Sequence, residues 1–265
     1  MNNYFLIVSG TEGVALRQFI WVMLVLFSSF TAHSFEKIEF TSSSQRPLLL
    51  ELYSSQGCSS CPPAQKWVNS FTESPDLWSK FIPIVFHVDY WDYIGWKDPF
   101  SSAEFSNRQR SFKSAGLINS VYTPGFVVNG HEWKGWFTGN AIDTSKLERT
   151  SNITLTVSAE QERVRVNYDY IDPRKAEEGR IHVAVLGFDV ETQVKAGENA
   201  HRTLRDNFMV LGYQQQKMHS VQHVIQYPKL SATAKKYALV VWTSKPNGLV
   251  PTQAVGGYLP QSFNF

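Results

Sequence analysis

The sequence predicts an α/β domain followed by a mainly antiparallel, sandwich-like β module, and three observations carry that expectation. A short apolar segment, Leu48 to Ser54, feeds directly into a C-x-x-C turn at Cys58 and Cys61. A second apolar segment, opened by Pro124, closes on Asn129-Gly130, a dipeptide suited to a tight hairpin turn. Beyond Asn152, helical periodicity largely gives way to runs that alternate apolar and polar residues.

Residues 1–34 read as an export signal. Phe19 to Phe27 is unbroken apolar, Arg17 precedes it, and Ala32-His33-Ser34 offers small residues where a signal peptidase cleaves. The apolar run falls short of the roughly 20 residues a spanning helix needs, so cleavage with no stable membrane anchor is expected. The mature chain would then be periplasmic or secreted. Removing Glu12 and Arg17 with the signal leaves the formal net charge at +2, a balance that does not suggest nucleic acid as a partner. With 43% hydrophobic and 14% aromatic residues, the remaining chain can bury a sizeable core.

Residues 35–150 are expected to form the first domain. Leu48 to Ser54 reads as a buried parallel strand, and after the cysteines Ala64, Trp67, Val68 and Phe71 recur at helical spacing. The order strand, C-x-x-C, helix is the thioredoxin-like arrangement. Pro62 and Pro63 disfavour helical geometry in the residues before them, which suggests a helix that starts late. Phe81 to Tyr90 is a second strand, followed by a loop in which Trp91, Tyr93, Trp96 and Phe100 interleave with Asp92, Lys97 and Asp98. Ser101 or Ser102 then caps a polar helix running to about Ala115. Thr123-Pro124 at the mouth of the next strand is read as a cis peptide. A return strand near Glu132 to Phe137 and a helix from about Gly139 to Thr150 would complete the domain.

Residues 151–265 are expected to form the β-rich module. Its strands are placed at Ile153 to Ser158, Val164 to Ile171, Arg180 to Val190, Val221 to Tyr227 and Tyr237 to Thr243. Gly197 to Leu204 reads as a polar turn, which on composition is a solvated loop.

Four motifs in order, S-Q-G-C-S-S-C-P-P at Ser55 to Pro63, H-V-D-Y-W-D-Y-I-G-W-K-D-P-F at His87 to Phe100, V-Y-T-P at Val121 to Pro124 and G-E-N-A-H-R-T-L at Gly197 to Leu204, resemble a bacterial family of secreted, thioredoxin-like proteins of unassigned function. The resemblance spans nearly the whole mature chain. It implies fold and export, and it carries no assigned reaction. Gly57 and the Ser59-Ser60 dipeptide depart from ordinary thioredoxins, which carry tryptophan and Gly-Pro at those places.

The chemistry centres on Cys58 and Cys61, the only cysteines of the chain. Outside the cytosol a disulfide between them is a plausible resting state. As a thiol-disulfide oxidoreductase acting on protein thiols or disulfides, the protein would use Cys58 as an exposed nucleophile and Cys61 as the shielded resolver. Thr123 and Pro124 would align a substrate, with Trp91 and Trp96 lining a groove or filling the core. Glu51 is the lone charge in its apolar strand; it is either a buried acid that moves protons to the resolving cysteine or a strand-edge carboxylate in solvent. This reading needs no cofactor and no metal. Two others compete: a non-catalytic binding protein on a thioredoxin scaffold, and a periplasmic copper-handling protein using the thiolates with His87. His87 with Asp89, and His219 with His223, are weaker ligand pairs.

Overall fold

The computed structural model describes residues 1, 37–150, 153–170, 179–263 and 265, so the expected export signal lies almost wholly outside the described residues. Residues 37–265 form one compact unit. After an edge strand β1 (Ile38–Thr41), β2 (Leu48–Ser54) is buried along all but its first residue, as a strand covered on both faces must be. The cysteine turn follows, then α1 (Cys61–Asn69), and β3 (Phe81–His87) returns parallel to β2 with Glu51 opposite Ile84. A loop leads to α2 (Ala103–Ser114), whose capping Ser102 accepts from the Glu104 backbone N–H at 3.1 Å. β4 (Gly125–Val128) runs antiparallel to β2, and Asn129 and Gly130, at φ 47° and 85°, turn it into β5 (His131–Glu132).

No helix forms over residues 139–150. Gly139, at φ 71°, ends a short 3₁₀ turn over Gly135–Thr138, and Asp143 Oδ1 takes the Ser145 backbone N–H at 2.9 Å, a local bond that competes with helix. The segment then lies beside residues 44–46, with Arg46 N donating to Glu148 O at 2.9 Å.

The second half supplies β6 (Ile153–Ala159), β7 (Arg163–Tyr170), β8 (Arg180–Phe188), β9 (Val190–Gln193), β10 (Thr203–Asp206), β11 (Met209–Lys217), β12 (Gln222–Gln226), β13 (Lys236–Ser244) and β14 (Pro251–Tyr258). One sheet has the order β1-β6-β7-β12 and a larger one β14-β13-β8-β11-β3-β2-β4-β5, while β9 and β10 pair as a ribbon. Leu155, Val157, Val164 and Val166 of the smaller sheet share an apolar core with Val183, Leu239, Val241 and Val255 of the larger. The expected boundary at 150/151 therefore does not separate two bodies. The larger sheet runs through it, joined where Met209 pairs with Val85 and Val85 N donates to Phe208 O at 2.9 Å. Nor does β1 belong to the first half's sheet, since it pairs with β6.

Glu51 is buried in the middle of this sheet. Arg108 of α2 reaches it with two bonds, Nε to Oε2 at 2.8 Å and Nη2 to Oε1 at 2.7 Å, and the Tyr53 hydroxyl donates to Oε2 at 2.8 Å. Arg108 in turn lies over the rings of Phe86, Phe112 and Trp242 at 5.2 to 5.6 Å. Removing one partner of such a pair strands the other charge in low dielectric, so Arg108→Met should lower stability by about 3–5 kcal/mol in urea unfolding. Adding Glu51→Gln to that variant should restore most of the loss, because the stranded charge is gone while Tyr53 keeps an acceptor.

Candidate functional site

The end of β2 sets the cysteine turn. Gly57 N donates to Ser55 Oγ at 3.1 Å, Cys58 N to Ser55 O at 3.2 Å and Cys61 N to Cys58 O at 3.2 Å. α1 begins at Cys61 itself, earlier than the prolines suggested, because in the first turn their missing N–H groups would have no intrahelical partner in any case. Space at Gly57 is tight: a Cβ there would come within 3.2 Å of Ile94 Cδ1, which would have to give by a few tenths of an ångström, and 3.4 Å of Trp91 Cβ. The aromatic loop thus occupies the space beside the first cysteine.

Both thiols are free and both are covered, Cys58 being 1% exposed and Cys61 2%. The expectation that Cys58 faces solvent is corrected by this geometry. Its sulfur lies 3.2 Å from Ser60 Oγ and 3.9 Å from the carbonyl oxygen of Thr123. The Thr123–Pro124 peptide is cis. The two sulfurs are not equivalent. The Cys61 thiol donates to Cys58, and this bond, helped by Ser60 against the cost of burial, brings the Cys58 thiol down to about 6. Burial first, and the neighbouring Cys58 second, push Cys61 well above the ordinary thiol range.

Trp91 Nε1 donates to Thr123 Oγ1 at 2.7 Å and Trp96 Nε1 to Gln56 Oε1 at 3.3 Å, so both indoles are tied to the site and both are half-buried. Tyr93, 81% exposed, stacks on Trp91 at 6.4 Å and 12°.

From the second half, Gly197 to Leu204 closes on the same turn. Asn199 is fully buried, and its Nδ2 donates to the carbonyls of Gln56 at 2.9 Å and Cys58 at 2.8 Å. Arg202 Nη1 holds Asn199 Oδ1 at 2.6 Å, and Glu198 Oε2 accepts the Ser59 backbone N–H at 2.8 Å. The solvated loop read from composition is a clamp. Its density of polar side chains was the only hint in composition, since the partners are backbone groups more than a hundred residues upstream.

Glu51 is buried, but Arg108 and Tyr53 claim its oxygens, and it makes no bond to either cysteine. Its bonds run to Arg108 of α2 and to Tyr53, which corrects the role expected for it beside the resolving cysteine. The groups at the base of the turn are others. His87 Nδ1 bonds Asp98 Oδ2 at 2.8 Å, and Asp98 also accepts from Gln56 N at 2.8 Å and Phe100 N at 3.0 Å. Burial would raise the Asp98 carboxyl, but His87 and these donors bring it below its usual value; burial would lower His87, but Asp98 and then Asp206 lift it above. Gln56 Nε2 reaches Asp206 Oδ2 at 3.3 Å, and burial raises the Asp206 carboxyl. Asp206 ends a short strand with no local sequence signal.

The histidine ligand pairs do not assemble. Asp89 is bonded to Ser106 rather than facing His87, and His223 lies on β12 with its ring nitrogens near Gln216 and the Ser220 carbonyl. Among the described residues no group of three His, Cys, Asp or Glu side chains is arranged to hold a metal.

The family model of a protein of unknown function (DUF1223) matches residues 49–243, a span that takes in both the cysteine turn and its clamp. The chain belongs to the DUF1223 family. Its fold is similar to that of an Agrobacterium tumefaciens protein solved by X-ray crystallography, with a TM-score of 0.56 and 20% identity over 84% of this chain and 98% of that one. HBP35 of Porphyromonas gingivalis aligns with a TM-score of 0.49 and 11% identity over 82% of this chain and 76% of that one. No curated protein gives a significant match.

The difference between the two thiols can be read without needing a reagent to reach them. In the reduced protein, ultraviolet thiolate absorbance should rise with an inflection near 6, and Cys58→Ser should abolish it. Cys61→Ala removes the main donor and should move the inflection upward toward the ordinary thiol range of about 8.5.

Proposed function

We propose that this DUF1223 chain is an exported thiol-disulfide oxidoreductase built on a thioredoxin-like core. The observation that carries the reading is the placement of the pair: two free thiols at the start of α1, with Cys58 Sγ 3.2 Å from Ser60 Oγ and 3.9 Å from the carbonyl of Thr123 in the cis Thr123–Pro124 peptide, a setting in which Cys58 is lowered to about 6 and Cys61 raised. Sequential thiol exchange needs one thiolate to attack and a second thiol beside it to resolve. Cys58 attacks a substrate disulfide, forming a mixed disulfide and releasing one substrate thiolate; Cys61 then attacks Cys58, closing the Cys58–Cys61 bond and releasing the second. The reverse sequence oxidises a substrate dithiol.

Support for the core comes from the parallel β2–α1–β3 unit with antiparallel β4 beside β2 and the cis Thr123–Pro124 peptide against the cysteines. Half-buried Thr123, with Trp91 tied to it and Trp96 tied to Gln56, would meet a substrate chain beside the buried Pro124. Export is supported by the apolar run Phe19 to Phe27 and its flanks. Among the described residues no helix is long and apolar enough to cross a membrane.

Equilibration in glutathione buffers tests the reading. The Cys58–Cys61 couple is expected to titrate well above the roughly −300 mV below which structural disulfides lie. With oxidised glutathione, Cys61→Ala should accumulate a stable mixed disulfide at Cys58 and Cys58→Ala far less. A potential in the structural range, with no adduct on either variant, would leave the pair a staple.

A further inference from the structure

Behind the cysteine turn lies a cleft of about 260 Å³ walled by Cys61, Gln65, Lys66, His87, Arg205 and Asp206 among others. Two polar atoms of its lining residues are buried without a protein partner, His87 Nε2 from β3 and Gln65 Oε1 from α1. The rest of each side chain is held. His87 is fixed through Nδ1 by Asp98, and Gln65 Nε2 donates to Asn69 Oδ1 at 2.8 Å and Asn207 O at 3.0 Å. Buried polar atoms without a protein partner are in general satisfied by water, and the cleft beside these two is large enough to hold it. The shielded cysteine, Cys61, lines the same cleft.

We propose that His87, acting through water in this cleft, is the proton acceptor for Cys61 when it resolves a mixed disulfide, with Asp98 and Asp206 as positioning residues. The proposal rests on the oxidoreductase reading and assigns the proton that reading leaves unplaced. Asp98 takes the Nδ1–H and so leaves Nε2, the unpartnered nitrogen of a residue that lines the cleft, as an acceptor, the tautomer a base requires. Asp206 faces the same cleft and stabilises the imidazolium that forms; its own bond to Gln56 ties it to the residue just before the turn. In the step itself the Cys61 S–H bond breaks, its proton passes through water to His87 Nε2, and the sulfur attacks Cys58 Sγ. The Cys58–Cys61 bond forms, the bond from Cys58 to substrate sulfur breaks, and the substrate leaves with the electron pair as a thiolate. The two cysteine sulfurs end oxidised and the substrate disulfide reduced, so no further reactant is needed.

The base must be neutral before it acts, and this fixes the sign of the pH dependence. The charged or titratable groups facing the cleft are Cys61 and Lys66 from α1, Asp98 behind the imidazole, and Arg205 and Asp206 from β10. The carboxylates hold the imidazolium, so the resolving rate should rise with pH through the His87 titration. Removing the Asp206 charge should then shift that limb to lower pH.

A chromogenic nitroaryl disulfide separates the steps in stopped flow. Attack by Cys58 releases one coloured thiolate and resolution by Cys61 a second. In the wild type both phases are expected, the second with an inflection above the ordinary histidine range. His87→Gln should leave the first phase intact and slow the second about a hundredfold at neutral pH, the lower range for general-base catalysis, with the inflection replaced by a steady rise as Cys61 itself ionises. Asp206→Asn, which keeps volume and the bond to Gln56, should move the inflection downward and serves as the decisive variant if His87→Gln does not fold. Two intact phases whose pH profiles are unchanged in both variants would overturn the relay and leave the oxidoreductase standing. Absence of both phases in the wild type would overturn the oxidoreductase and the relay with it.

Discussion

The buried ion pair between Glu51 and Arg108 sits where the larger sheet meets α2, and its demands organise much of what surrounds it. A carboxylate in the centre of a strand covered on both faces is tolerable only if its lone pairs are taken, and here a bidentate guanidinium and a tyrosine hydroxyl take them. The guanidinium needs low-cost company in turn, and finds it over aromatic faces. One of these, Trp242, belongs to β13 and stacks on His182 at 4.8 Å and 3°. His182 bonds Tyr213 and Ser244 through its two ring nitrogens, and burial, with Arg108 close by, pushes it well below its ordinary value and keeps it neutral. A continuous polar and aromatic chain thus runs from β2 through α2 to β8, β11 and β13. Because β2 ends just before the cysteines, whatever fixes Glu51 also fixes the platform from which the turn springs.

The site is assembled from both halves of the chain. The turn comes from the first, whereas the groups that satisfy its carbonyls, and one of the two carboxylates at its base, come from the second. α1 is stitched across the same divide: Asn69 Nδ2 donates to Arg205 O at 2.8 Å and its Oδ1 accepts from Asn207 N at 3.0 Å. These are directional bonds to backbone, so they fix position as well as proximity. An extended sheet with an inserted clamp is the outcome, in place of a domain with an appendage.

The parts legible in the sequence are those fixed by local chemistry. The apolar run into C-x-x-C, the Ser102 cap and the Asn129-Gly130 turn each depend on residues a few places apart, and each lies where the spacing put it. Strands β11 and β14 were not legible. β11 carries Gly212 and the polar run Gln214-Gln215-Gln216, and it is a strand because β8 and β3 flank it. β14 holds a buried glutamine, Gln253, and glycines 256 and 257, where a Cβ would meet Leu239 O at 3.0 Å and Phe40 at 2.3 Å. Long-range choice of neighbour decided both. The same distinction runs through the site: Cys58, Cys61, Thr123 and Pro124 announced themselves, while the partnership of His87 with Asp98 and the arrival of Asp206 are products of the fold. Glu51 shows the limit most clearly, because its isolation in an apolar strand left burial and solvent exposure both open and did not name the arginine that neutralises it.

The clamp also sets an order in time. Synthesis delivers Cys58 and Cys61 early and Glu198, Asn199, Arg202 and Asp206 far later, so on a growing chain the turn waits for its carbonyl donors. Until they emerge, the carbonyls of Gln56 and Cys58 lack the side chain that takes them in the finished fold. The braced turn is therefore a property of the finished polypeptide. A product truncated anywhere before residue 199 would carry both cysteines and lack the asparagine that holds the backbone around the first of them.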